Sequence, residues 1–126
     1  MDTLTEKPSS ACNKSIVAVH DAMYVLGGKW KISILASLIF GPKRYSQILR
    51  AIPGISGKML SRELKEMETN LLIRRIVADI LPLTVSYELT EYGETVKPVI
   101  EILAQWGEVH RKCIIYNGNL HVAETV

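Results

Sequence analysis

Between Ile52 and Asn70 the chain places several polar and cationic side chains where they can meet an anionic polymer. At about 100° per residue, Lys58, Arg62, Lys65 and Thr69 fall on one side of a helix, with Ser61 beside them. Leu60, Leu64, Met67 and Leu71 fall on the other side. A helix with an apolar back and such a front can lie in the major groove of duplex DNA, where cations hold phosphates and side chains read base edges. The competing reading is an ordinary amphipathic surface helix with a solvated basic face. Ser56 is the expected N-cap and a further candidate for phosphate or base contact, and Asn70 is the expected left-handed stop.

The surrounding charge favours the first reading. From Lys29 to Arg75 the chain carries ten Lys or Arg against three carboxylates, a net +7, while the remaining five basic and ten acidic residues carry −5. A basic middle between acidic ends points to a polyanion partner for the middle alone.

Elements that would position this helix follow from spacing. Residues 1–13 read as a loose arm. From Ser15, the residues Ile16, Val19, Met23 and Leu26 follow a helical period that Gly27-Gly28 ends. A second helix is expected from near Trp30 through Ile39, stopped by Gly41-Pro42. Lys43-Arg44-Tyr45 reads as a short edge strand, and Ser46 as the cap of a brief helix burying Ile48, Leu49 and Ile52. Pro53-Gly54-Ile55 turns into the cationic helix, so the pair forms a helix-turn-helix. Leu72–Asp79 and Thr84–Leu89 are rich in β-branched residues and predict a hairpin with its tip at residues 80–83. The fold class is therefore mainly α with a small β-hairpin, a winged helix-turn-helix. Arg74 or Arg75, at the hairpin base, could hold phosphates.

Thr90 is expected to cap a last helix with a kink or break at Pro98. Its stripe (Val96, Val99, Ile100, Leu103, Trp106, His110, Cys113 and Ile114, widened by Ile102 and Val109) exceeds what one small core can cover. Together with Val19 and Met23 of the first helix, Ile102, Trp106 and Val109 are the candidate dimer contacts. Residues 14–116 would form the domain with its dimerisation helices, and residues 117–126 a mobile tail.

The motifs also resemble those of a known family, the HxlR-type (DUF24) winged-helix regulators of bacteria, relatives of the MarR group. The matching pieces are Leu26-Gly-Gly-Lys-Trp30, Gly41-Pro-Lys-Arg-Tyr45, Ile52-Pro-Gly-Ile-Ser-Gly-Lys-Met-Leu60, Leu64-Lys-Glu-Met-Glu68, Val85-Ser-Tyr-Glu-Leu-Thr-Glu-Tyr-Gly93 and the Pro98 to Trp106 helix. The resemblance implies a homodimeric DNA-binding transcriptional regulator whose first and last helices form the interface. Some relatives sense quinones, aldehydes or oxidants through a cysteine near the N-terminus. That cysteine is commonly followed by proline, whereas here the pair is Cys12-Asn13, and the hairpin tip lacks the cation of many wings.

The DNA-binding candidates are thus Lys43, Arg44, Ser56, Lys58, Ser61, Arg62, Lys65 and Arg75. Cys12, near a helix start and beside Lys14, is a candidate thiolate sensor of oxidants or electrophiles, with Cys113 as its conceivable partner. His20, His110 and His121 have no further ligands at metal spacing, no catalytic constellation is present, and neither cofactor nor enzyme activity is expected. No apolar run reaches the roughly 18 residues of a membrane span, and two distant cysteines suit a cytoplasmic protein. A winged helix serving protein contacts alone is the alternative; salt-sensitive DNA binding separates the two.

Overall fold

A computed structural model describes residues 10–79 and 81–120, with side chains through residue 115. Its elements run α1 (Ser10–Leu26), α2 (Lys31–Ser37), β1 (Lys43–Arg44), α3 (Tyr45–Ala51), α4 (Gly57–Thr69), β2 (Ile73–Val77), β3 (Val85–Leu89), α5 (Glu91–Glu94) and α6 (Lys97–Leu120). The strands form an antiparallel sheet in the order β1-β3-β2, so Lys43-Arg44 is the expected edge strand and adds a third member to the hairpin.

Apolar residues at helical spacing close one core. Ile34, Leu35 and Leu38 meet Ile48 and Ile52, the back of α4 (Leu60, Leu64, Met67), Leu72, Ile73 and Leu89, and then Val96 and Ile100. Burying a side chain of this size contributes about 1.5–3 kcal/mol, and these contacts orient α4 with its cations outward. Trp30 packs partly against the same cluster and stands 3.7 Å from where a Cβ on Gly54 would lie. Gly54, at φ 88°, supplies the positive φ that the turn between α3 and α4 requires.

Several local expectations are corrected. α1 begins at Ser10, so residues 10–13 and Cys12 with them belong to a helix rather than to a loose arm. α6 continues through Leu120 into the expected tail, while residues 1–9 and 121–126 lie outside the described residues. Arg44, not Ser46, is the N-cap of α3, and its backbone N–H donates to Gln47 Oε1 at 2.8 Å. At the end of α4 the left-handed residue is Leu71 (φ 64°), not Asn70. Leu71 and Leu72 donate their N–H groups to the carbonyls of Glu68 and Met67, a Schellman ending. This reversal turns Leu71 out, at 68% exposure, and Leu72 into the core.

Pro98 acts as a break: α5 ends at Glu94 and Pro98 falls in the first turn of α6, where a missing N–H costs nothing. Thr90 ties α5 to the end of α4. Its hydroxyl accepts from Gly93 N at 2.9 Å and donates to Leu71 O at 2.6 Å, and its own N–H reaches Leu72 O at 3.0 Å. Beyond Ile100, α6 leaves the core, and α1 buries no residue at all.

Candidate nucleic-acid interface

Ser56 caps α4 as expected, its Oγ accepting from Met59 N at 3.1 Å. That bond satisfies one of the N–H groups a helix start leaves open, so the hydroxyl is already committed to the helix. Lys58, Ser61, Arg62 and Lys65 are exposed on the side of α4 opposite Leu60, Leu64 and Met67. The Arg62 guanidinium contacts Met59 Sδ at 3.2 Å, a weak acceptor that leaves it available to a stronger one. Among the described residues, none of Lys43, Arg44, Lys58, Arg62, Lys65 or Arg75 forms an ion pair.

Tyr45 seats the start of this helix, which its assignment to a strand had hidden. From the first turn of α3 its hydroxyl donates to Gly57 O at 2.8 Å and lies 3.2 Å from Ser61 Oγ. A Cβ on Gly57 would stand 3.1 Å from that hydroxyl, so a small residue lets the two helices meet there. Ser61 is therefore shared between the exposed face and this seat.

The sheet sorts the remaining cations. Lys43 and Arg75 both stand opposite Tyr87 in the strand register, so Lys43, Tyr87 and Arg75 form one row across three strands. Directly paired residues share a face of the sheet, and this row looks toward α4. Arg75 and Tyr87 line a cleft of about 340 Å³ with Tyr45, Ser61, Lys65 and Glu68. Arg44, paired with Ser86, belongs to the other face and is not brought to this group. Arg74 also points away, and its Nε donates to Glu88 Oε2 at 2.6 Å across the strands. Strand alternation thus puts Arg75, and not Arg74, on the face toward α4. The row of Lys43 and Arg75 about Tyr87 depends on pairing partners distant in sequence, and only the aromatic residue amid alternating positions hinted at it.

Lys31 counts toward the basic block in sequence but is spent internally. Its Nζ donates to Glu63 Oε1 at 2.7 Å and lies 2.8 Å from Glu66 Oε1. Burial pulls the Lys31 pKa down, yet the hydrogen bonds and charges of Glu63 and Glu66 outweigh it, and the pKa is raised above 10.5. The Lys31 hydrogen bond, then its charge, holds Glu66 below the ordinary 4.5. Lys29 lies 4.8 Å from the Trp30 ring centre, a cation–π contact.

The candidate interface contacts elsewhere are exposed: Val19, Met23, Ile102, Trp106 and Val109 all lie between 56% and 64% accessible. Trp106 stacks on His110 with ring centres 4.9 Å apart. Cys12 and Cys113 are exposed, one in the first turn of α1 and the other on α6. Among the described residues no cluster of His, Cys, Asp and Glu could hold a metal ion, and no helix is long and apolar enough to cross a membrane.

Two helices joined by a tight turn, the second presenting cations, with a three-stranded sheet beside them, define a winged helix-turn-helix protein. Residues 25–114 match the HxlR-like helix-turn-helix family, and the chain belongs to it. It is 46% identical over 100 residues to the HTH-type transcriptional regulator YkvN of Bacillus subtilis, covering 79% of this chain and 85% of that one. YtcD of the same organism is 42% identical over 94 residues, 75% of each chain. Among solved structures, the redox regulator HypR in its reduced form has a TM-score of 0.73 at 34% identity, covering 79% of this chain and 98% of that one.

Proposed function

We infer that this protein is a transcriptional regulator that binds operator DNA as a homodimer. α4 enters the major groove, and Lys43 and Arg75 hold the flanking backbone. The single observation that carries this reading is the α4 face: Lys58, Arg62 and Lys65 stand exposed and, among the described residues, without ion pairs, on the side away from the core that fixes their direction. Arg62, at the middle of the face, reads a base. Ser61 and the capped end at Ser56 approach phosphate. Membership in a family of helix-turn-helix transcriptional regulators supports the same reading.

The experiment is a titration of selected operator and random duplex at several salt concentrations. Arg62→Ala should cost about 1–3 kcal/mol on the operator if it pairs bidentately with guanine, and less on random sequence. Lys43→Ala should weaken both alike and flatten the salt dependence. Equal losses on both duplexes for Arg62→Ala would remove its base-reading role.

The dimer reading rests on apolar surface that the chain itself leaves open. Ile16, Val19 and Met23 on α1 and Ile102, Trp106 and Val109 on α6 are large and exposed. A symmetric pair would cover them and set two α4 helices on successive half-sites. An oxidant or electrophile is the proposed signal, received at Cys12 in the first turn of α1, with Cys113 as the second thiol. The neighbouring structure HypR is a redox regulator by name, which supports that signal.

A further inference from the structure

The helix proposed to read DNA has no net charge of its own. Along α4, Lys58, Arg62 and Lys65 are matched by Glu63, Glu66 and Glu68. Glu66 lies four positions after Arg62, the spacing at which a carboxylate and a guanidinium pair along a helix. Such a pair would take Arg62 away from DNA and present a carboxylate at the edge of the groove. In the structure Glu66 makes its ion pair with Lys31 from α2, which bridges Glu66 and Glu63, and the Arg62 charge acts on Glu66 only as a smaller contribution. The Lys31 and Glu63 side chains are only 12% and 11% exposed, so this ion pair is poorly screened, whereas Glu66 is 53% exposed. Lys31, Arg62, Lys65 and Glu66 line one cleft of about 530 Å³ with Tyr24 and Thr69, so the bridge lies on the margin of the reading face itself.

We propose that Lys31 sets DNA affinity by offsetting one of the two negative charges that Glu63 and Glu66 place on the recognition helix, and by holding Glu66 so that Arg62 and Lys65 serve the nucleic acid. Glu68 is left on the other flank, in the cleft beside Lys65 and Arg75. The effect operates through charge: Lys31 need not touch DNA, and what matters is that it cuts the two negative charges of Glu63 and Glu66 to a net one. A structural clip between α2 and α4 would make a different demand, namely that the bridge itself persist.

The inference rests on DNA reading by α4, and the test separates the two. Affinity for random-sequence duplex and for operator fragments selected from genomic DNA is measured across a salt series, with thermal unfolding of each variant recorded beside it. The wild-type chain and Lys31→Met, Glu66→Gln and the triple variant Lys31→Met/Glu63→Gln/Glu66→Gln are compared. Lys31→Met should bind both duplexes roughly 5- to 20-fold more weakly at low salt, with the salt slope reduced by about one. Glu66→Gln should bind about two- to fivefold more tightly, since one carboxylate leaves the margin of the face. The triple variant has no bridge but also neither of the carboxylates that Lys31 held, and should return to wild-type affinity or better. A triple variant as weak as Lys31→Met would overturn the proposal and make Lys31 a clip. Unchanged binding by Lys31→Met would overturn it as well. Should Lys31→Met not fold, an unchanged Glu66→Gln affinity decides against the proposal. Absence of salt-dependent duplex binding by the wild-type chain would instead reject DNA reading itself.

Discussion

Replacing Gly93 by alanine tests the joint between the reading helix and the long helix α6. Gly93 is buried in α5, and a Cβ there would overlap the Leu72 carbonyl oxygen and lie 3.0 Å from its carbon. Both are backbone atoms, so no side-chain rotation relieves the overlap; α5 has to move away from the residues that end α4. Three hydrogen bonds cross or organise this joint: Thr90 N to Leu72 O at 3.0 Å, Thr90 Oγ1 to Leu71 O at 2.6 Å, and Gly93 N to Thr90 Oγ1 at 2.9 Å. At roughly 0.5–1.5 kcal/mol apiece, losing two or three of them costs about 1–4 kcal/mol. Partial exposure of the adjoining core at Leu72 and Leu89 pushes the value toward the upper end. Gly93→Ala should therefore lose about 2–4 kcal/mol in urea unfolding with no change of m-value. Thr90→Val, which removes the cap but adds no overlap, should lose about 1 kcal/mol. A Gly93→Ala protein within 0.5 kcal/mol of wild type would show that α5 approaches Leu72 less closely than described, and the geometric reasoning would fall.

Other predictions concern assembly, signal and pH. Trp106→Ala should raise the dimer dissociation constant by tenfold or more, about 1.4 kcal/mol, and weaken operator binding with it; sedimentation equilibrium of a fully dimeric mutant would take that ring out of the interface. Diamide should change operator affinity of the wild-type protein and leave Cys12→Ser unaffected, whereas identical responses would exclude Cys12 and a response lost only in Cys113→Ser would move the sensor there. The Lys31 bridge should shape the stability profile at both pH extremes. Because the folded Glu66 pKa is lowered, its stabilisation is complete above about 4.5 and fades as pH falls through the folded value; because the Lys31 pKa is raised, that stabilisation is complete below 10.5 and fades as pH rises past it. Urea midpoints of wild type and Glu66→Gln across pH check this, and superimposable profiles in acid would contradict the Glu66 share.

Much of this architecture was legible in the order of residues because it depends on local chemistry. Helical spacing of Leu60, Leu64 and Met67 fixes the back of α4, Ser56 its start and the Pro53-Gly54 turn its separation from α3. Alternating β-branched residues mark the hairpin, and Pro98 marks a break. The basic middle of the chain follows from counting charges. What counting cannot reveal is which charges are already matched. Lys31 and Arg74 look like equals of Arg62 and Arg75 in sequence, but the fold pairs the first two with Glu63, Glu66 and Glu88, while Arg62 and Arg75 form no ion pair among the described residues. Those partners lie 32, 35 and 14 positions away, so helix docking and strand register decide the pairing. The same holds for Leu71 and Leu72: either could close the apolar stripe, and only the left-handed turn at Leu71, stabilised by bonds to Glu68 and Met67, sends one outward and the other inward. Residue type and period therefore settled the elements and which side chains share the outer face of α4, while long-range packing settled which cations are held in ion pairs. Coulomb attraction falls with distance in space, and distance in space is what the tertiary structure alone supplies.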